Sequence, residues 1–153
     1  MKDLKVQPIK NGTVIDHISP GMALRVLKIL KVDEKIGSTV SVLMHVPSKK
    51  QQLKDVVKIE DRELKPSEVD RIALIAPYAT INIIRNYVVS EKYVVKVPDE
   101  VRGIVKCTNL ICITNEPKEG VEPKFVPISK QPIVLKCKYC GREIDDVASQ
   151  IIL

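Results

Sequence analysis

Two stretches of the chain repeat apolar residues at the spacing of an amphipathic helix. In the first, ISPGMALRVLKILKV, we expect Ser19 to cap the helix and Pro20 to occupy its first turn. The apolar face of this helix consists of Ala23, Val26, Leu27 and Leu30.

The second helical stretch is LKPSEVDRIALIAP. Here Ser67 and Asp70 resemble a capping pair, and Pro77 is expected to end the helix. The face expected to pack against a sheet consists of Val69, Ile72, Ala73 and Ala76.

Stretches rich in β-branched residues surround both helices and predict strands. They are GTVIDHI before the first helix, STVSVLMHV and LKDVVKIED between the helices, and ATINIIRNYVVSEKYVVKV after the second. The last stretch is long enough for two strands. The order β-α-β-β-α-β with right-handed crossovers predicts a ferredoxin-like sheet that carries both helices on one face.

The pattern changes near KVPDEVRG, where Pro98 interrupts the β-rich stretch. We therefore predict an α+β protein with an N-terminal domain at 1–98 and a small all-β domain at 99–153. The second segment is polar, Pro-rich and without a clear amphipathic helix. About 55 residues of this kind bury too little apolar area to fold securely alone, so another interaction must hold them.

Charge and composition narrow the function classes. The net charge is +6, and the excess lies in residues 1–98, with 17 Lys and Arg against 11 Asp and Glu, whereas residues 99–153 hold 8 of each. A basic surface attracts nucleotides, nucleic acids or acidic proteins. Aromatic residues make up only 3% of the chain, which counts against a stacking platform for single-stranded nucleic acid.

Without a membrane-length apolar run or a signal-peptide core, we expect a cytoplasmic protein that does not contact a membrane.

All four cysteines fall into two closely spaced pairs in the second segment. The first pair has the spacing C-x4-C and the second C-x2-C, and Gly141 follows the second pair at a position that suits a strained turn. Two such turns offer four thiolates to one tetrahedral ion, which suits a structural Zn²⁺ with sulfurs at roughly 2.3 Å. The predicted ligands are Cys107, Cys112, Cys137 and Cys140.

Two other interpretations of the cysteines stay open at this stage. An iron centre of the rubredoxin type is chemically compatible with four thiolates, although the wider spacing of the first pair favours zinc. Four unrelated buried thiols, or a redox pair, would need no metal. That reading is disfavoured because every cysteine lies in the segment that lacks an apolar core.

The sequence shows no catalytic constellation. It has no phosphate-binding loop of the G-x4-G-K-[ST] or G-x-G-x-x-G kind. Asp16 and His17 are neighbours in a predicted strand, so we expect their side chains to point to opposite faces and not to form a dyad. Lys54 and Lys58 share one face of a strand and could hold an anion, although a solvated lysine face is the favoured interpretation from the residues alone. Catalysis is not expected.

The segments KVQPIKNGTVIDHI, LKDVVKIED, ATINIIRNYVV, CTNLIC and LKCKYC occur in the order seen in one family. Over essentially its whole length the chain resembles the regulatory chain of aspartate carbamoyltransferase, an enzyme of pyrimidine biosynthesis. The resemblance implies a non-catalytic subunit whose N-terminal domain binds CTP, ATP and, in some members, UTP, and whose zinc domain docks on the catalytic chain. It also implies a homodimer of regulatory chains within a dodecamer of six catalytic and six regulatory chains.

The resemblance further implies which residues bind the effector. Lys58 would meet ribose or phosphate and Lys92 the phosphates, while Lys54 is a weaker candidate that could reach a second nucleotide or its metal. A base-reading edge would consist of Val6, Gln7 and Ile9, and a base pocket of Asn82, Ile84, Tyr87 and Val89. The remaining implied contacts are Val14, Asp16 and His17.

The sequence QPI departs from the more acidic stretch of well-known bacterial members at the base-reading edge, so the preference between adenine and cytosine stays open. The competing class is a zinc-ribbon protein that binds nucleic acid or serves transcription. Against that class, residues 99–153 have no excess of Lys and Arg, whereas nucleic-acid modules concentrate positive charge where they touch phosphates. A freestanding nucleotide-dependent enzyme would need a nucleophile that the sequence does not show.

Overall fold

A computed structural model describes residues 8–49 and 52–153, and its first sheet has five antiparallel strands in the order β2-β3-β1-β4-β5. This order, with a helix after β1 and another after β3, is the predicted ferredoxin-like arrangement with one strand added at an edge. The elements are β1 (Gly12–Ile18), α1 (Ala23–Ile29), β2 (Val40–Pro47), β3 (Leu53–Glu60), α2 (Pro66–Ile75), β4 (Thr80–Arg85) and β5 (Val88–Val94).

The long β-rich stretch after α2 forms two strands, as predicted. Asn86 and Tyr87 separate β4 from β5, and both have positive φ, 52° and 66°. Two consecutive residues of this conformation form the tight turn that matches the twist of an antiparallel hairpin.

The core of this region lies between one face of the sheet and the two helices. Alternate strand residues such as Ile15, Ile59 and Ile81 are fully buried, as are Val26 of α1 and Ile72 of α2. Because side chains alternate across a strand, the residues between the buried ones lie on the face that the helices do not cover. We call this the open face.

The predicted cap of α1 is wrong. The helix begins at Ala23 rather than near Ser19, and the carbonyl of Ser19 accepts a turn hydrogen bond from the N–H of Met22 at 3.0 Å. The buried carboxylate of Asp55 takes the capping position, because its Oδ2 accepts from the N–H groups of Gly21 (2.9 Å) and Ala23 (3.0 Å). A charged acceptor satisfies these N–H groups better than a serine hydroxyl.

The predicted cap of α2 is also displaced. Pro66 is the first helical residue, a position where its missing N–H removes no hydrogen bond. The N–H of Lys65 donates to Oε1 of Glu68 at 2.9 Å, so Glu68 fills the role that the sequence assigned to Asp70 as partner of Ser67. Pro66 sets the register of the cap and moves it two residues toward the N-terminus.

The C-terminal region is a separate four-stranded antiparallel sheet in the order β6-β7-β8-β9. Phe125 and Leu135 are fully buried on its inner side, beside the cysteines, and Val101 and Val105 are fully buried as well. The expectation that this segment lacks an apolar core is therefore wrong, because its strands bury one row of side chains each. The mixed α+β class with a small all-β part is therefore confirmed. The strands are β6 (Val101–Arg102), β7 (Lys124–Lys130), β8 (Ile133–Cys137) and β9 (Glu143–Ile144).

None of the helices within the described residues has the length and apolar character that crossing a membrane requires.

Candidate functional site

Four of the predicted effector residues form one row across the first sheet. Lys58 of β3 lies opposite Val14 of β1, Val14 lies opposite Asn82 of β4, and Asn82 lies opposite Lys92 of β5. Directly opposed residues in antiparallel strands point to the same side. All four side chains are therefore on the open face, which places two lysines at the ends of the row and an amide between them.

Ser41 extends this row by one strand, because it lies opposite Lys58 on β2. Sequence reasoning did not single it out. A lone serine in a strand carries no signal of function, and only the register of β2 against β3 shows that its hydroxyl is next to a predicted phosphate ligand.

The side-chain amide of Asn82 already makes one hydrogen bond within the row. Its Nδ2 donates to the carbonyl of Val14 at 3.3 Å, and the residue is half-buried. Among the described residues this is the one hydrogen bond of the side chain, which leaves its second N–H and its carbonyl for a ligand on the open face.

Asp16 and His17 do not point to opposite faces, contrary to expectation. His17 has φ of 56°, and the register of β1 against β3 shifts between Ile15 and Ile18, which identifies a β-bulge. Through this bulge the N–H of His17 donates to Oδ1 of Asp16 at 2.7 Å, and Nδ1 of His17 is 3.9 Å from the same oxygen. The bulge brings both side chains to one side of the strand.

Lys54 is joined to this pair. Its Nζ is 2.9 Å from Oδ1 of Asp16, and both side chains are mostly buried. Partial burial raises the pKa of Asp16, but the hydrogen bonds from Lys54 and from the N–H of His17, together with their charges, outweigh it and hold the pKa below its ordinary value of 3.8. Asp16 is thus a carboxylate that Lys54 holds at the edge of the row.

An apolar surface adjoins the other side of the row. Ile84 lies opposite Val89 on β5, two pairs beyond Asn82 and Lys92, and the register of β4 against β5 shifts just before this pair. Tyr87 follows in the hairpin turn, where its N–H donates to the carbonyl of Lys10 at 2.9 Å. Tyr87 and Val89 are 65% and 51% exposed, whereas Ile84 is buried. This surface can receive a flat, partly apolar group beside the charged row.

The predicted base-reading edge is only partly visible. Val6 and Gln7 lie outside the described residues. Ile9 is buried, with 8% of its surface exposed, so its side chain packs inside the protein. Any contact of Ile9 with a base would therefore come from its backbone.

The four cysteines meet at one point, as the spacing predicts. Their sulfurs all lie within 4.8 Å of one another, with 3.6 Å between Cys107 and Cys140 and 3.8 Å between Cys112 and Cys137. Four sulfurs at about 2.3 Å from a central ion are about 3.8 Å apart in a tetrahedron. The donor set and its dimensions therefore fit a tetrahedral metal bound by four thiolates.

Hydrogen bonds support the ligand geometry. Thr114 Oγ1 donates to Cys112 Sγ at 3.2 Å, and the N–H of Arg142 donates to Cys140 Sγ at 3.5 Å. Gly141 has φ of 79°, which confirms the strained turn expected after the second pair. Such contacts hold the ligands in place before the metal arrives.

Burial opposes ionisation of the inner thiols. It raises the pKa of Cys107 to about 12 and also raises the pKa of Cys137. Cys140 is exposed, and the N–H of Arg142 and its polar neighbours outweigh its slight desolvation to lower its pKa to about 6. A divalent cation would offset the charge of thiolates held this closely, and binding it would release protons.

The first metal loop exposes two large aliphatic side chains. Leu110 is 82% exposed and Ile111 is 91% exposed, although both lie between metal ligands. The side chain of Asn115 stiffens the loop by donating to the carbonyls of Cys107 (3.0 Å) and Asn109 (2.8 Å). A rigid loop with an apolar tip is typical of a surface that another protein covers.

Known proteins resemble the chain along nearly its full length. Residues 4–96 match the family model of the aspartate carbamoyltransferase regulatory chain, allosteric domain, and residues 99–149 match that of its metal binding domain. The aspartate carbamoyltransferase regulatory chain of Methanothrix thermoacetophila is 52% identical over 152 residues, covering 99% of this chain and 98% of the relative. That of Methanothermobacter thermautotrophicus is 55% identical over 150 residues, covering 97% and 95%.

A third relative, from Thermoplasma volcanium, has the same name and is 53% identical over 145 residues, which is 95% of each chain. Both halves of the chain thus match the same kind of subunit, one named for allostery and one for metal binding. The resemblance seen in the sequence is confirmed. The chain belongs to the family of aspartate carbamoyltransferase regulatory chains, whose members are regulatory and not catalytic subunits.

Proposed function

We propose that this chain binds nucleoside triphosphates on the open face of its first sheet and passes their effect to catalytic chains of aspartate carbamoyltransferase. The observation that carries the proposal is the row of Lys58, Val14, Asn82 and Lys92. It places cationic and amide groups on the one face of the sheet that the helices leave uncovered.

The dimensions of the row suit a polyphosphate. Lys58 and Lys92 are three strand spacings apart, about 14 Å between backbones. Their flexible side chains can converge on a group bound between them, and charged hydrogen bonds to phosphate are among the stronger polar contacts. Lys92 would hold the phosphates, and Lys58 would meet phosphate or ribose.

The remaining predicted residues would orient the nucleoside. Tyr87, Val89 and Ile84 offer the apolar surface on which a base can lie, and Asn82 offers hydrogen bonds at its edge. Asp16 and His17, with Lys54, form a polar corner at the opposite side of the row. CTP and ATP are the expected ligands, with UTP as a third. Because the QPI segment differs from that of well-known bacterial members at the base-reading edge, the order of preference among these nucleotides is to be measured.

We further propose that the metal is a structural Zn²⁺, one per chain. Four protein sulfurs complete a tetrahedral shell, so no position remains for water or substrate. The ion would add to the small apolar core of this segment, which includes Val101, Phe125 and Leu135. Structural zinc supplies roughly 10–16 kcal/mol of binding energy to small domains.

The domain assignment follows from this division of roles. Residues 1–98 would form the effector domain and residues 99–153 the metal domain, which would dock on the catalytic chain through Leu110 and Ile111. Regulatory chains would pair through their effector domains and join catalytic chains in a cytoplasmic dodecamer of six and six. The complex would serve de novo pyrimidine synthesis.

Calorimetry with CTP and ATP tests the effector assignment. We expect the two nucleotides to compete for one site and to be recovered without hydrolysis. Failure of the wild-type chain to bind either would contradict the assignment. Parallel titration with mixed-sequence DNA and RNA at moderate salt tests the alternative, a zinc ribbon that binds nucleic acid. Such a protein is expected to bind DNA or RNA and not CTP or ATP.

A further inference from the structure

The last described residues form part of the C-terminal region. The N–H of Ile152 donates to the carbonyl of Ile104 at 2.7 Å, and the N–H of Lys106 donates to the carbonyl of Gln150 at 2.8 Å. These are antiparallel backbone contacts, so residues 150–152 are fixed to the segment that leads into the metal loop.

The same residues are also bound to helix α2. Nε of Arg71 donates to the carbonyl of Ile152 at 3.0 Å, and Nη1 of Arg71 donates to the carbonyl of Ser67 in its own helix at 3.1 Å. The N–H of Ile152 is thus held by the C-terminal region, while its carbonyl is held by the N-terminal region. The second bond of Arg71 keeps its guanidinium fixed on the helix surface.

The surroundings of this contact leave room for movement. Ile29, Ile75, Ile151 and Leu153 line a cleft of about 200 Å³, and Arg71 lines a neighbouring cleft of about 280 Å³ that shares Ile29 and Leu153 with the first. Close packing resists displacement, whereas clefts at this contact leave fewer side-chain contacts to resist it. A directional hydrogen bond therefore has more influence on the relative position of the two sides here than it would in a filled interface.

Helix α2 packs against the side of the sheet opposite the open face. Its buried residue Ile72 belongs to the same core as Ile59 of β3 and Ile81 of β4. These two strand residues are direct neighbours of Lys58 and Asn82, which point the other way. A ligand that moves β3 or β4 would therefore press on α2 through packed side chains.

We propose that Arg71 is a positioning residue that transmits effector binding from α2 to the metal-binding region by holding the carbonyl of Ile152. The proposal rests on the proposed function and adds to it the contact through which the signal leaves the effector domain. In this role Arg71 neither binds the nucleotide nor serves only to stabilise the fold.

The test uses regulatory chains assembled with catalytic trimer. Nucleotide is titrated with and without a bisubstrate analogue, and the ratio of the two affinities gives the coupling factor. The variants are Arg71→Gln, Arg71→Lys, and Arg25→Gln as a control that removes the same charge from the exposed face of α1 beside the neighbouring cleft. The free regulatory chains are titrated in parallel, and their thermal unfolding is recorded.

We expect Arg71→Gln to bring the coupling factor toward one while nucleotide affinity of the free chain stays within about twofold of wild type. Arg71→Lys should keep part of the coupling, because an ammonium can reach one carbonyl but cannot hold two in a fixed fork. Arg25→Gln should couple like wild type.

Coupling that is unchanged in Arg71→Gln, or absent from a wild-type enzyme that binds nucleotide, would overturn this proposal and leave nucleotide binding standing. A loss of nucleotide affinity in the free Arg71→Gln chain that equals the loss in the assembled enzyme would also overturn it. Arg71 would then act on the effector site itself. A wild-type chain that binds no nucleotide would instead contradict the proposed function.

Discussion

Lys54 and Asp16 form an ion pair across two strands, with 2.9 Å between Nζ and Oδ1, beside a bulge that turns His17 to the same side. The pair links β3 to β1 at the polar corner of the candidate effector site. Its first consequence concerns stability at acid pH.

Asp16 has a lowered pKa, so its contribution is present above the ordinary value of 3.8 and is lost as pH falls through the lower value of the folded state. Asp16→Asn should therefore flatten the fall in the free energy of unfolding below about pH 4. Urea unfolding at a series of acid pH values measures this. Asp70→Asn, on helix α2 across the sheet, is the matched control, and an equal change in both variants would contradict the role of the Lys54 contact.

The two lysines of the row should matter to every nucleotide that binds. Lys58→Ala and Lys92→Ala should each weaken CTP and ATP by roughly 1.5–3 kcal/mol, about 10- to 150-fold in Kd, because each removes a charged hydrogen bond to phosphate. Calorimetry on the free chain measures both. Lys28→Ala on exposed α1, behind the sheet, should change neither affinity. Affinities that survive both row substitutions would place the site elsewhere.

Asp55 should be among the costliest polar residues to replace. Its buried carboxylate accepts from the N–H groups of Gly21, Ala23 and His45 at 2.9–3.0 Å, which joins α1 and a bulge of β2 to β3. In Asp55→Asn the amide nitrogen cannot accept, and each N–H left unpaired costs roughly 1–3 kcal/mol. Urea unfolding midpoints compare this variant with Asp61→Asn, at an exposed turn, for which little change is expected.

The apolar tip of the metal loop should be needed for docking and not for folding. Leu110→Ser and Ile111→Ser should each weaken association with catalytic trimer by about 1.5–3 kcal/mol, the value of burying such a side chain. Metal content should stay at the wild-type level in both. Ile128→Ser, at another exposed position on β7, serves as the control. Association that is insensitive to both loop substitutions would remove this loop from the interface.

Local sequence patterns were sufficient for the elements that depend on local spacing. Alternation of apolar residues predicted the strands, and the cysteine spacing predicted a four-sulfur cluster because both ligand turns are short. Features set by distant residues were missed. The cap of α1 comes from Asp55, which is 32 positions from Ala23, and no pattern near Ser19 contains that information.

The assignment of the row to effector binding came from family resemblance and stays a prediction. Lys58 and Lys92 are far apart in sequence, and their common face depends on the register of four strands. The geometry of Asp16 and His17 was predicted incorrectly because strand alternation fails at a bulge, and a histidine with positive φ has no signature in the sequence.

The proposed division of roles places nucleotide binding on the first sheet and docking on a region that the metal organises. Its most direct test removes the metal, with a mercurial and a chelator or through Cys137→Ser, and follows assembly with catalytic trimer by size-exclusion chromatography beside CTP titration of the same samples. We expect assembly to be lost and CTP binding to remain, with assembly restored when Zn²⁺ is returned to the stripped wild-type chain. A metal-free chain that still assembles, or one that loses CTP binding completely together with assembly, would contradict this division.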